Sequence, residues 1–116
     1  MLEKLRLDGP PRKVAIVTGG SRGLGREMAR SLALAGADLC IAARTQEQLD
    51  RTATFLTRES GREPLTVVTD IRSSDYCEQM VSTTIDHFGK LDILVNNAGI
   101  GDAPGRGKAA WELDDE

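Results

Sequence analysis

The stretch TGGSRGLG, Thr18 to Gly25, is the place in this chain where residue type and spacing point to chemistry. Three glycines at positions 19, 23 and 25 leave main-chain amides uncovered between a β-branched run and an apolar-periodic one. Amides at the start of a helix bind anions, because they are unpaired donors at the positive end of the helix dipole. Gly19 would let the chain turn, Gly23 would let a diphosphate approach the backbone, and Gly25 would let the helix lie close to a sheet. A P-loop is excluded, since Arg26 follows Gly25 where that motif needs a Lys and then Ser or Thr. A tight strand-to-helix connection would also use glycines, so the surrounding elements must decide.

Those elements alternate. Val14 to Thr18 reads as a buried strand after the turn residues of DGPPR. From Leu24 the apolar residues Leu24, Met28, Ala29, Leu32 and Ala33 keep helical spacing until Gly36. Asp38 to Ala43 is a second strand, and Leu49, Ala53 and Leu56 mark one face of a helix that ends near Gly61. PLTVVTD gives a third strand. SSDYCEQMVSTTIDHFG gives a third helix, capped by Ser73 or Ser74, with Met80, Val81, Thr84 and Phe88 inward and Gly89 as its stop. LDILV is a fourth strand that leads into NNAGIGDAPGRG. Strands and helices in strict alternation imply parallel strands joined by right-handed crossovers, hence an α/β fold, a doubly wound sheet with helices on both faces.

At 116 residues the chain has the length of one domain. A net charge of −3 provides no field that would favour nucleic acid, and no apolar run reaches the roughly 18 residues of a membrane span. A cytoplasmic protein with small-molecule partners, no nucleic acid and no membrane is the expectation. Cys40 and Cys77 have neither CxxC spacing nor a clustered histidine, so they read as two buried thiols and no metal site is expected.

The TGxxxGxG spacing, followed in order by TDI at Thr69 to Ile71 and NNAG at Asn96 to Gly99, closely resembles the short-chain dehydrogenase/reductase family. The resemblance implies a Rossmann-type sheet and NAD(P)-dependent oxidation of alcohols or reduction of carbonyls. It also implies roles position by position. Gly19, Ser21, Arg22, Gly23 and Leu24, with Gly25 behind them, would hold the pyrophosphate. Asp70 and Ile71 would lie beside the adenine, and Asn97, Ala98 and Gly99 along the adenosine ribose. Each cluster falls at the carboxyl end of a predicted strand, the edge where open α/β sheets bind ligands.

A domain that prefers NAD places Asp or Glu about 20 residues beyond the glycine turn, at the end of the second strand, to accept from the ribose 2′-hydroxyl. Here IAART stands there, with Arg44 in place of the acid and Asp38 at the other end of the strand. A guanidinium holds a 2′-phosphate through charge-assisted bonds and a carboxylate repels it. NADP is therefore the expected cofactor and NAD the less favoured one, with Arg22 as a second positive charge.

The resemblance places catalysis on a Ser, a Tyr and a Lys four residues after that Tyr, all beyond NNAG. No such set occurs in this chain: Tyr76 is followed four residues later by Met80 and reads as a partly buried helix residue. The expectation is a single Rossmann domain over 1–116, with a short extension at 1–12, a sheet of order 3-2-1-4, and a loop and helix start at 101–116. Catalytic residues would be absent and the chain alone inactive. It would be the cofactor-binding front portion of an oxidoreductase whose full-length form takes a small alcohol or carbonyl substrate and forms a homo-oligomer. A stand-alone NADP-binding module, and a truncated protein that pairs through the edge of its fourth strand, are the alternatives.

Overall fold

The computed structural model describes residues 6–19, 23–70 and 73–97. Seven elements follow in order: β1 (Val14–Thr18), α1 (Gly23–Leu34), β2 (Asp38–Ala43), α2 (Gln46–Ser60), β3 (Leu65–Val68), α3 (Ser74–Phe88) and β4 (Ile93–Asn96). The four strands form one parallel sheet of order β3-β2-β1-β4. β1 lies at its centre, paired Val14 to Asp38 on one side and Ala15 to Ile93 on the other.

Alternation along the strands sorts the side chains into two cores. Ala15, Val17, Leu39 and Ile41 face α1 and α2, where they meet Ala29, Ala33, Leu49 and Leu56. Ile16, Cys40 and Ala42 face the opposite way and meet Met80 of α3. β1 is buried along its whole length, which is why it reads as a continuous apolar run rather than as an alternating one.

α1 departs from the apolar stripe expected of it. Its buried residues are Gly25, Ala29 and Ala33, whereas Leu24 is 62% exposed. Small residues at every fourth position bring this helix close to the sheet, and Leu24 is turned out at the first turn beside the strand ends. α2 follows expectation: Thr45 accepts from the Gln48 amide as N-cap, and Gly61 in the left-handed region ends the helix. In α3, Met80 and Thr84 are buried, Val81 and Phe88 partly so, and Gly89 terminates the helix. Ser73 occupies the N-cap position without a side-chain cap bond. Tyr76 is half exposed rather than partly buried, because it lies on the outer side of the first turn. Cys77 is likewise only partly buried, in contrast to Cys40. Burial pushes the Cys40 thiol above its usual range, so it behaves as a small apolar residue of the core.

Two features hold the amino ends of the strands. Leu7 inserts into the α1/α2 core, and its amide donates to the Ala35 carbonyl while Lys13 donates back to Leu7. The segment from Arg6 to Lys13 thus packs across the α1 to β2 turn. Arg62 donates through Nη2 to the carbonyls of Ala33 and Ala37 at 2.8 and 2.9 Å, tying the start of β3 to the α1 to β2 turn.

β4 begins at Ile93, two residues later than the apolar run suggests. Leu91 packs beneath α3, and Asp92 exchanges bonds with Val14: its Oδ2 accepts from the Val14 amide at 2.8 Å and its own amide donates to the Val14 carbonyl at 2.9 Å. The Val14 amide holds the Asp92 carboxyl below the usual carboxylate range, assisted by Lys90 at 3.1 Å and opposed by partial burial. A lowered folded-state pKa means the contribution is present above the ordinary value of about 3.9 and disappears as pH falls through the folded one. Asp92→Asn keeps an acceptor for Val14 and removes the charge. Its melting temperature should fall below that of the parent at pH 7 and converge with it in acid. Thermal melts between neutrality and the acid limit check this; a pH-independent difference would assign the residue a purely geometric role.

Candidate functional site

The expected site residues within the described part gather at the carboxyl ends of β1, β2, β3 and β4. Ser21, Arg22, Ile71, Ala98 and Gly99 lie outside the described residues.

The glycine turn is built by close approach. Gly19 follows β1 with φ of 66°, a left-handed conformation that glycine adopts without Cβ strain, and its amide still donates to the Ala42 carbonyl at 2.9 Å. Gly25 is buried directly over it. A Cβ at position 25 would overlap the Gly19 carbonyl oxygen and the Asn97 side-chain nitrogen, with the Gly19 carbonyl carbon at 3.0 Å. At Gly23, by contrast, a Cβ would meet nothing within 4 Å. One glycine permits helix against turn, and the other leaves the turn's outer face open.

β4 is tied to the same turn through Thr18, which is 2% exposed. Its hydroxyl lies 3.3 Å from the Val95 carbonyl and 3.1 Å from Asn96 Oδ1, to either of which it can donate, and accepts from the Asn97 amide at 2.9 Å. Asn97 Nδ2 reaches the Gly19 carbonyl at 3.4 Å. The asparagines therefore join strand end to strand end, a structural role that leaves the rest of the cradle open. Sequence reasoning assigned the chemistry to the glycines and overlooked Thr18 as their support; its place at the head of the TGxxxGxG pattern was the available signal.

Arg44 stands immediately after β2, exposed, and makes no hydrogen bond or ion pair with any described residue. The next residue, Thr45, is committed to capping α2. Asp70 lies just beyond β3, where the Thr69 amide extends the ladder to Ala43 at 2.9 Å and the Asp70 main-chain carbonyl accepts from Ser73 at 3.0 Å. Asp38 is at the opposite edge, 3.8 Å from Arg62, so no carboxylate of β2 faces Arg44. His87 and Lys90 also lie at that opposite edge, by the end of α3 and before β4, away from the glycine turn. Among the described residues no cluster of metal-ligating side chains occurs, and no helix is long and apolar enough to cross a membrane.

The parallel sheet of order β3-β2-β1-β4 with helices on both faces is a Rossmann-type fold. The chain matches the short chain dehydrogenase family over residues 13–116 and belongs to that family. It is similar to an uncharacterized oxidoreductase of Mycobacterium tuberculosis, 44% identical over 99 residues, which cover 85% of this chain and 36% of that protein. A short chain dehydrogenase/reductase of Aspergillus oryzae is 42% identical over 84% of this chain and 36% of its own length. Among solved structures, L-sorbose reductase from Gluconobacter frateurii in complex with NADPH and L-sorbose superposes with a TM-score of 0.77 at 34% identity, over 94% of this chain and 40% of that one. An alcohol dehydrogenase from Thermococcus sibiricus complexed with 5-hydroxy-NADP gives 0.70 at 37% identity, over 75% and 37%. The chain thus spans about a third of the length of the curated relatives it matches.

Proposed function

We propose that this chain supplies the NADP-binding portion of an oxidoreductase that exchanges hydride between the nicotinamide and a small alcohol or carbonyl compound. The observation that carries the choice of cofactor is Arg44, an exposed guanidinium without a partner among the described residues, placed where an NAD-preferring sheet would present an acid. The residues present fit the dinucleotide: a Cβ at Gly25 would close the cradle, Gly23 is open, and a cation awaits the 2′-phosphate. Gly19, Ser21, Arg22, Gly23 and Leu24 would receive the pyrophosphate on main-chain amides. Asp70 and Ile71 would border the adenine, and Asn97, Ala98 and Gly99 the ribose. The NADPH and 5-hydroxy-NADP complexes of the two structural neighbours support this reading. When bound, the nicotinamide supplies the hydride; this chain's residues bind and orient the adenosine half. The proton transfer that accompanies hydride transfer has no candidate among the described residues, and turnover by the isolated chain is not expected.

Calorimetric titration of the purified chain with NADP and with NAD tests the reading. NADP should bind more tightly. Arg44→Asp should weaken NADP by about 10- to 100-fold, equivalent to roughly 1.4–2.7 kcal/mol for loss of a charge-assisted contact and its replacement by repulsion, and leave NAD little changed. Equal weakening of both would remove Arg44 from 2′-phosphate recognition, and NADPH-dependent turnover by the chain alone would refute the assignment of catalysis elsewhere.

A further inference from the structure

α1 and α2 lie side by side on one face of the sheet, and both begin at the edge where the candidate site lies. The head of α1 presents Gly23 and Leu24, while the head of α2 follows Arg44 closely and is capped by Thr45. A ligand held at both heads depends on the distance between them. Side chains of α1 reach across to α2 and fix that distance. Arg30 Nε donates to Glu59 Oε1 at 2.7 Å. One turn nearer the heads, the Arg26 guanidinium stacks on Phe55, its carbon 3.8 Å from the ring centroid and well inside the roughly 6 Å reach of a cation–π contact.

Arginine is a costly residue for that place. Arg26 Nε is buried with no hydrogen-bond acceptor, and the residue makes no ion pair with any described side chain. A buried donor without a partner is unfavourable, so an apolar side chain of similar length would pack on Phe55 at less cost. The charge is also misplaced for the free helix. α2 and α3 each carry an acid in the first turn, Glu47 and Asp75, whereas α1 has none there and carries Arg26 instead. A cation in the first turn opposes the helix dipole and leaves the positive end of α1 uncompensated. An anion at that head turns the same charge to advantage.

Given the NADP reading above, on which this rests, we propose that Arg26 is a positioning residue for the dinucleotide. Stacked on Phe55, it holds the head of α1 beside the head of α2 so that one molecule engages both, the diphosphate at Gly23 and Leu24 and the 2′-phosphate at Arg44. It acts through the placement of the two helices and touches neither phosphate itself.

Arg26→Met keeps side-chain length and helix propensity and removes the charge together with the orphaned donor. In the full chain it should unfold at a urea concentration no lower than the parent's, yet bind NADP several-fold more weakly. Adenosine 2′-monophosphate, which meets the head of α2 alone, should keep its parent affinity when followed by ligand-observed NMR. Arg26→Lys, which can still set a cation on Phe55, should recover most of the NADP affinity. NADP affinity unchanged in Arg26→Met would overturn the proposal and leave the cofactor reading standing. So would NADP and adenosine 2′-monophosphate weakened by the same factor, or a loss of stability in step with the loss of affinity, since either assigns Arg26 to the fold alone. A parent chain that binds no NADP would remove the cofactor reading itself, and this inference with it.

Discussion

Gly25→Val is expected to abolish nucleotide binding and to leave the chain largely unfolded, and Gly25→Ala to destabilise it by about 2–3 kcal/mol, toward the upper end of what overpacking costs. The first atom of any side chain at this position falls on the Gly19 carbonyl and on the Asn97 amide group. The Gly19 carbonyl is main chain, and its residue is anchored by the bond from its amide to Ala42, so it cannot swing aside as a flexible side chain would. Relief must come from moving α1 off the sheet. That opens the packing of Ala29 and Ala33 against Ala15 and Val17, at the centre of the larger core. Valine adds two further methyl groups to the same overlap. Against a total stability on the order of 5–15 kcal/mol, this is enough to depopulate the fold of a small domain. Gly23→Ala is the contrasting case: its φ of 58° strains a Cβ, yet nothing within 4 Å obstructs one. It should cost about 1–2 kcal/mol and keep the core intact. Urea unfolding of the three variants, paired with NADP titration, distinguishes them; a Gly25→Ala protein as stable as the parent would show that the close approach of α1 to the turn is not required.

The sequence showed most of what local rules determine. Strand runs and the helix stops at Gly61 and Gly89 follow from periodicity and turn chemistry, the 3-2-1-4 sheet order is what the family resemblance implies, and the structure reproduces them. Contacts between segments distant in the chain were less legible. Leu24 looks like a core residue by spacing, but the inward face of α1 is set by how closely the helix approaches the sheet, which favours Gly25, Ala29 and Ala33. Leu7 falls within the extension at 1–12, and the hole it fills exists only once α1 and β2 are packed. Arg62 carries no local signal of its role, because its two carbonyl partners lie 25 and 29 positions away in sequence. At the candidate site, the glycine spacing and Arg44 were visible as patterns. The bracing of that turn by Thr18 was not, because it depends on β4 arriving beside β1 in a register that pairs Thr18 with Asn96.

Thr18→Val tests that bracing directly. Valine is close to threonine in shape and replaces the hydroxyl by a methyl group, so the change chiefly removes the hydroxyl's hydrogen bonds. Its loss leaves the Asn97 amide without its 2.9 Å acceptor and removes the one donor available to the Val95 carbonyl or Asn96 Oδ1, in a position only 2% exposed. An unsatisfied buried amide costs about 1–3 kcal/mol, and the expected loss of stability lies in that range. The consequence for binding should be separable from the consequence for folding. Thr18 joins the end of β4 to the residue before the glycine turn, and Asn97 completes the loop by reaching Gly19. Without the hydroxyl, both segments can open while the four strands stay paired, and ordering them again is a cost that bound nucleotide must meet. NADP affinity should therefore fall even at temperatures well below the melting transition, and hydrogen exchange at the Asn97 amide should accelerate more than at Ile16 in the strand centre. Affinity and Asn97 protection both unchanged in a folded Thr18→Val protein would mean that the turn is held by its glycines alone. Faster exchange with unchanged affinity would confine Thr18 to stability and detach β4 from the cradle.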